Sequence, residues 1–347
     1  MKKTNKLLIA TAFAAAGIQP ASAAIDLNWV DGVDMSVYGS LRLGYESVRP
    51  DKETPALRDY TGTRDAYSRV GFKASTALND DITASIVYEV PLDLANGDAR
   101  TPDGRTEDVR VAKFQLSGDW GNVWVGHDWL PYYNAISYKV DLFDSFYSGF
   151  STFAQFRRGD SVGFNFPVAG LNVSGAYSKG DSNDRQRNSL EHRTQLVVTK
   201  DIGKWSLAAA VDNINAGTDV TYYAVAAGYT TGPWYFGGKY EIADSDVGAG
   251  TFNEDGSVSW NALASYTSGL FTYTGMYGQT DNFGEQYTHL AARYQWRPDT
   301  RFFVEYYYEE ETAALAPERK GSLAGTGDFI GAASGGDAIT VGLRYDF

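Results

Sequence analysis

Ala338-Ile339-Thr340-Val341-Gly342-Leu343-Arg344-Tyr345-Asp346-Phe347 closes the chain. Its odd positions from Ile339 to Phe347 are large and apolar, and its even positions are small, polar or charged. Side chains of an extended chain point alternately to opposite faces, so this period of two describes a strand with one apolar and one polar face. The same pattern runs through Met35, Val37, Leu41, Leu43 and Tyr45, interleaved with Ser36, Ser40, Arg42 and Glu46. It recurs in Val258-Trp260-Ala262-Ala264-Tyr266, Phe271-Tyr273-Gly275-Tyr277, Leu290-Ala292-Tyr294-Trp296 and Phe302-Val304-Tyr306-Tyr308. The chain reads as all-β.

The connections then set the topology. Short turns are expected at Asn79-Asp81, Gly118-Asn122, Pro167-Gly170, Ile202-Lys204, Thr231-Pro233, Thr267-Gly269 and Pro298-Thr300. Long polar segments alternate with them, at about 48–64, 91–108, 127–156, 179–192, 212–219, 243–256, 279–286 and 309–337. Together these join sixteen strands, and an even number returns both termini to the short-turn rim, where first and last strands can pair. Short turns on one rim, long loops on the other and Tyr, Trp and Phe near the strand ends describe a transmembrane antiparallel β-barrel, with the turns periplasmic and the loops extracellular. Lipid offers no partners to backbone N–H and C=O groups, so only a closed barrel lets strands span it. A propeller would show a blade repeat of about 40 to 50 residues, and none is present. A soluble sandwich gives no reason for loops to sort by length.

Composition narrows the chemistry. The chain has 347 residues, 14% of them aromatic, and a mean hydropathy of −0.33, and it lacks the long apolar runs of a helical membrane protein. The formal charge of −13 argues against nucleic acid as a partner. No Cys and only His127, His192 and His289 leave no thiolate chemistry and little for a metal site, so no cofactor, metal or catalytic group is expected. Residues 1–23 read as a secretory signal: Lys2, Lys3 and Lys6, the apolar run Leu7 to Ile18, then Ala21-Ser22-Ala23 as the cleavage site. The mature chain, 24–347, is then one barrel domain, more acidic than the full chain.

Leu343-Arg344-Tyr345-Asp346-Phe347 resembles the C-terminal signature of bacterial outer-membrane proteins, in which Tyr345 and Phe347 would be read by the assembly machinery. Together with Val37-Tyr38-Gly39-Ser40-Leu41, Arg69-Val70-Gly71-Phe72-Lys73 and Gly126-His127-Asp128-Trp129, it makes nearly all of the mature chain similar to the Gram-negative general porins. The resemblance implies a sixteen-stranded barrel, a homotrimer in the outer membrane among lipid and lipopolysaccharide, and a third loop folded into the lumen as a constriction at about 127–156. It also implies passive diffusion of small hydrophilic solutes and ions.

The third loop carries Asp141 and Asp144, three apart and so on one face of a short helical turn, as candidate lumen acids. By parity Arg42, Arg69, Lys73 and Arg110 lie on the polar face, and one of Arg157 and Arg158 follows them inward. These six are the candidate basic wall, facing the acids across a transverse field. Parity from Arg110 sends Lys113 outward, to a subunit interface, unless it marks a bulge. Acidic loop residues, including Asp181, Asp184, Asp244, Asp246, Glu254, Asp255 and Glu309 to Glu311, lead to an expected weak cation preference.

Two other functions compete. Trp129, Tyr132 and Tyr133 would be the stacking platform of a substrate-specific oligosaccharide channel, or else they pack the loop against the wall. Gly159-Asp160-Ser161-Val162-Gly163 fits G-x-S-x-G, but Val162, Phe164 and Phe166 continue a strand where a hydrolase elbow needs a helix, so Ser161 reads as an ordinary lumen residue.

Overall fold

The computed structural model describes residues 24–27, 29–53, 58–99, 109–147, 152–153, 155–179, 191–248, 253–282, 284–311, 315 and 335–347. The expected signal segment, 1–23, lies outside the described residues. The first strands are β1 (Ile25–Leu27), β2 (Asp34–Pro50), β3 (Tyr60–Asp65), β4 (Ser68–Ala77) and β5 (Thr83–Leu92). They are followed by β6 (Val111–Gly118), β7 (Gly121–Trp129), β8 (Arg157–Val168), β9 (Leu171–Lys179) and β10 (His192–Ile202). Then come β11 (Trp205–Asn215), β12 (Asp219–Thr231), β13 (Trp234–Ser245) and β14 (Val258–Ser268). The last are β15 (Phe271–Thr280), β16 (Glu285–Arg297), β17 (Thr300–Glu309) and β18 (Gly336–Asp346).

All neighbours pair antiparallel, and β18 pairs with β2 from Gly336↔Pro50 to Asp346↔Ser40, which closes the barrel. Two of the segments are fragments of staves. β3 and β4 both pair with β2, β3 at Leu43–Val48 and β4 at Asp34–Ser40, so they form one stave broken at Ala66 and Tyr67, where Tyr67 has φ 67°. β1 pairs with Met35–Val37 directly beyond the point where Phe347 exchanges backbone hydrogen bonds with Gly39, so the first described strand and the last residue lie on one line beside β2. The barrel therefore has sixteen staves.

Phe347 also explains a glycine. A Cβ at Gly39 would lie 2.5 Å from the Phe347 ring, so only Gly lets the last aromatic seat against the first stave. Tyr345 stacks on Phe347 at 5.7 Å.

Burial is inverted relative to a water-soluble domain. Leu43, Tyr45, Ile86, Leu196, Val225, Leu290 and Val304 are exposed, whereas Glu46, Asp212, Glu241 and Glu305 are buried. Apolar residues face outward to lipid and polar ones inward, as the alternation predicts. Near the short turns, cross-strand rings form a belt: Trp205–Tyr229 and Trp234–Tyr266 at 4.6 Å, Phe271–Tyr294 at 5.0 Å. The expected short turns all occur; at Ala169-Gly170 both residues have positive φ, the type I′ geometry that matches strand twist.

Three expected loops are shorter than the sequence suggests. β2 runs on to Pro50 and β3 starts at Tyr60. β11 and β12 are joined by 216–218, and β15 and β16 by 281–284, in place of the longer segments expected at 212–219 and 279–286. Strand stems that project beyond the bilayer are wet on both faces, so their alternation fades and they read as loop.

Candidate functional site

The connection between β7 and β8 begins with α1 (Pro131–Ala135) and a single 3-10 turn at Ser137–Lys139. Pro131 supplies a preset φ where a helix start leaves its N–H unpaired, and Leu130 N–H donates to Phe156 O at 2.9 Å to close the stem. From there the loop meets inward-facing side chains around the wall. Tyr132 N–H donates to Gln195 Oε1 at 3.0 Å, and Lys139 Nζ donates to Ser206 Oγ at 2.6 Å. Thr152 Oγ1 donates to Glu241 Oε1 at 2.7 Å, and Tyr147 OH donates to Glu46 Oε2 at 3.1 Å. Apolar packing seals this side. Tyr132, Ile136 and Phe153 sit on Ala208, Ala210, Tyr222 and Ala224, and Phe143, Phe146 and Tyr147 sit on Tyr235, Leu263, Tyr287 and Tyr307.

The acidic pair separates. Asp144 is fully buried and does not face Arg69, Lys73 and Arg110. Its carboxylate takes Arg301 at 2.5 Å, Arg344 at 3.0 Å and Arg293 at 3.1 Å, from three adjacent late staves. Arg344 also pairs with Asp346 at 2.8 Å. The backbone N–H groups of Asp144 and Ser145 donate to Glu305 at 2.8 and 3.0 Å, and Glu305 accepts His289 Nε2 at 3.0 Å. Burial alone would raise the Asp144 carboxyl; Arg301, Arg293, Arg344 and Arg42 overcome it and hold the group well below the usual carboxylate range. Asp141 does not share this site. It accepts from Tyr133 OH. The segment 141–144 forms no helical turn, so a spacing of three does not put the two on one face.

The six candidate cations likewise divide. Arg42 stands in register with Arg344 and donates to Ser40 Oγ, so it belongs to the Asp144 group. Arg110 and Arg69 flank Glu89 at 2.8 and 3.8 Å, and Tyr38 OH also donates to Glu89, at 3.0 Å. Lys73 is exposed and lies 4.2 Å over the Tyr38 ring. Lys113, expected outward from Arg110, faces inward and pairs with Asp128 at 2.7 Å. Arg110 precedes β6 and is not part of its alternation; Phe114, exposed, sets the true parity. Arg157 lies 4.4 Å over the Trp129 ring, while Arg158 is buried against Glu191 at 2.5 Å and Gln155 at 3.1 Å.

The three candidate stacking residues are themselves covered. Tyr132 and Tyr133 are buried. Trp129 is half-buried, with Tyr133 stacked at 4.9 Å and the Arg157 guanidinium 4.4 Å over its ring. Ser161 lies within β8 and donates to Gly159 O and Arg158 O, at 3.0 and 3.1 Å.

Beside this wall lies a water-accessible space of about 380 Å³, lined by Tyr38, Lys73, Val87, Lys113, Asp128 and Trp129 among others. Arg293, Arg301 and Glu305 were absent from the expected set, although the outward residues Leu290, Tyr294, Phe302 and Val304 already placed all three inward by parity. What the pattern lacked was any sign that they converge on one loop carboxylate.

Comparison with known proteins agrees with the geometry. The family described as Gram-negative porin matches residues 8–314. A protein of Halomonas named monosaccharide porin is 24% identical over 313 residues, covering 84% of this chain and 83% of its own. Outer membrane protein U of Vibrio parahaemolyticus is 23% identical, covering 100% of both chains. Among solved structures, Salmonella typhi OmpF superimposes with a TM-score of 0.68 at 18% identity, over 93% of this chain and 100% of that one. An anion-selective porin from Comamonas acidovorans gives a TM-score of 0.67 at 18% identity, over 91% and 100%.

Proposed function

The chain belongs to the Gram-negative porin family, an outer-membrane channel and not an enzyme, and from that premise we infer that it carries small hydrophilic solutes and ions by passive diffusion. The observation behind this is the division of the lumen. The third loop packs against the wall from Ala208 and Tyr222 round to Tyr307 and Val48, and a water-accessible space lies beside the staves that carry Tyr38, Lys73, Val87 and Lys113, so the loop acts as the constriction.

Two opposed charge terms set ion preference. Asp244, Asp246, Glu254, Asp255, Glu310 and Glu311 lie in or beside the long connections and concentrate cations there, while Asp181 and Asp184 fall outside the described residues. The inner wall is basic. The expected net result is weak cation preference, read as a reversal potential of the cation-selective sign for the purified channel in a KCl gradient; an anion-selective sign would overturn it.

A homotrimer is the proposed assembly, with outward Met35, Val37, Leu41, Phe72 and Ile86 offering an apolar early-stave face to a second copy. Phe347, seated on Gly39, is proposed as the signal read during assembly. The oligosaccharide-channel reading rests on Trp129 lining the lumen, and its ring already carries Tyr133 and the Arg157 guanidinium. Malto-oligosaccharides added to an open channel in a planar bilayer should therefore leave its current unblocked. Concentration-dependent closures would favour the specific channel.

A further inference from the structure

The space beside the early staves is more than a passage. Lys73 and Lys113 both stand in register with Val87, one from each side, so their Cα atoms are roughly 10 Å apart, two strand spacings, with an apolar side chain between them. Among the described residues Lys73 makes no ion pair, and Lys113 uses one of its three donors on Asp128. Behind them Arg69 and Arg110 both flank Glu89, and Arg157 stands at Trp129. Among the described residues Lys73, Lys113 and Arg69 thus face two carboxylates, Glu89 and Asp128, and this part of the wall keeps a positive excess although the chain as a whole carries −13. A pocket with an apolar floor and a few converging polar groups is the usual form of a small-molecule site.

We propose that this wall is a binding site for small organic dianions, with Lys73 and Lys113 each holding one carboxylate, Val87 and the edge of Trp129 against the carbon chain, and Ser85 and Gln115 at the margin. The geometry selects length. Charge-assisted N–H···O bonds are about 2.8 Å long. A four-carbon dicarboxylate has outer oxygens about 6 Å apart at ordinary bond lengths. Two such bonds then bridge ammonium groups roughly 11 Å apart, within reach of flexible lysine stems. A monocarboxylate engages one lysine only. The inference rests on the channel reading and adds a solute class to it: the acidic outer rim and the basic inner wall act in series, and the second holds dianions in the passage.

The test uses the full mature protein in planar bilayers, with succinate as the probe and acetate at equal ionic strength as the comparison. Succinate is expected to block the KCl current in a concentration-dependent way, at a concentration at least ten-fold lower than acetate. Lys73→Gln and Lys113→Gln should each weaken the succinate block about ten-fold, Lys73→Arg should restore most of it, and Lys200→Gln, exposed near the short-turn rim, should leave it as in the parent. Steady KCl conductance of each variant shows that its barrel has assembled. Equal block by acetate, no block in the parent, or a block indifferent to both lysine substitutions would overturn the dianion site while leaving the channel reading intact. Absence of any conductance in the parent would remove both.

Discussion

Asp144→Asn is expected to loosen the third loop and destabilise the barrel by about 3–5 kcal/mol, the range for removing one partner of a buried ion pair. The size follows from what remains. Arg301, Arg344 and Arg293 converge on this single carboxylate, with Arg42 beside them, and among the described residues Asp346 and Glu305 are left nearby to offset four guanidinium groups. The amide that replaces the carboxylate removes the charge and accepts fewer hydrogen bonds. In detergent the heat-unfolding midpoint should fall by several degrees, and in bilayers the single-channel current should become noisier, because the loop also loses the geometry that directs its N–H groups to Glu305. Glu305→Gln, which keeps an acceptor for Asp144 and Ser145, should cost less. A quiet channel with an unchanged midpoint in Asp144→Asn would show that the apolar packing of Phe143, Phe146 and Tyr147 holds the loop without the arginines.

Leu290→Arg should impair insertion, by about 2–4 kcal/mol for a cation facing lipid at the midplane. Leu290 is exposed and central in β16, between Gly275 and Tyr306 on the neighbouring staves. Ser85→Arg places the same side chain on the opposite face, at the water-accessible space, and should insert normally while narrowing the passage. Folded fractions of the two variants in lipid vesicles, with conductance for the second, check both statements. Equal insertion of the two would mean that the inward and outward faces had been misassigned.

That pair of substitutions was legible without coordinates, because parity assigns Leu290 and Ser85 to different solvents. Lys113 marks where such reading fails: the alternation was counted from Arg110, one residue before β6 begins, and a single-residue slip exchanges the two faces. The asparagine- and aspartate-rich stems at Asn215 and Asp219 mark another limit, since a strand wet on both sides carries no alternation.

The candidate site was legible in kind and not in arrangement. That Arg42, Arg69 and Lys73 face water inside a barrel follows from period two alone. That Arg42 serves the Asp144 cluster while Arg69 and Arg110 share Glu89 does not, because it depends on which staves stand across the lumen from which part of the loop. The sequence by itself determined the sixteen-stave barrel and, wherever the parity was counted within a strand, which residues meet lipid, since each side chain there is tied to one of two solvents by a local, periodic rule. Only the tertiary structure decided that Asp144 is consumed as a clamp and that Trp129 is covered, because those outcomes depend on contacts between residues as far as 200 positions apart, brought together by barrel closure and the path of one loop.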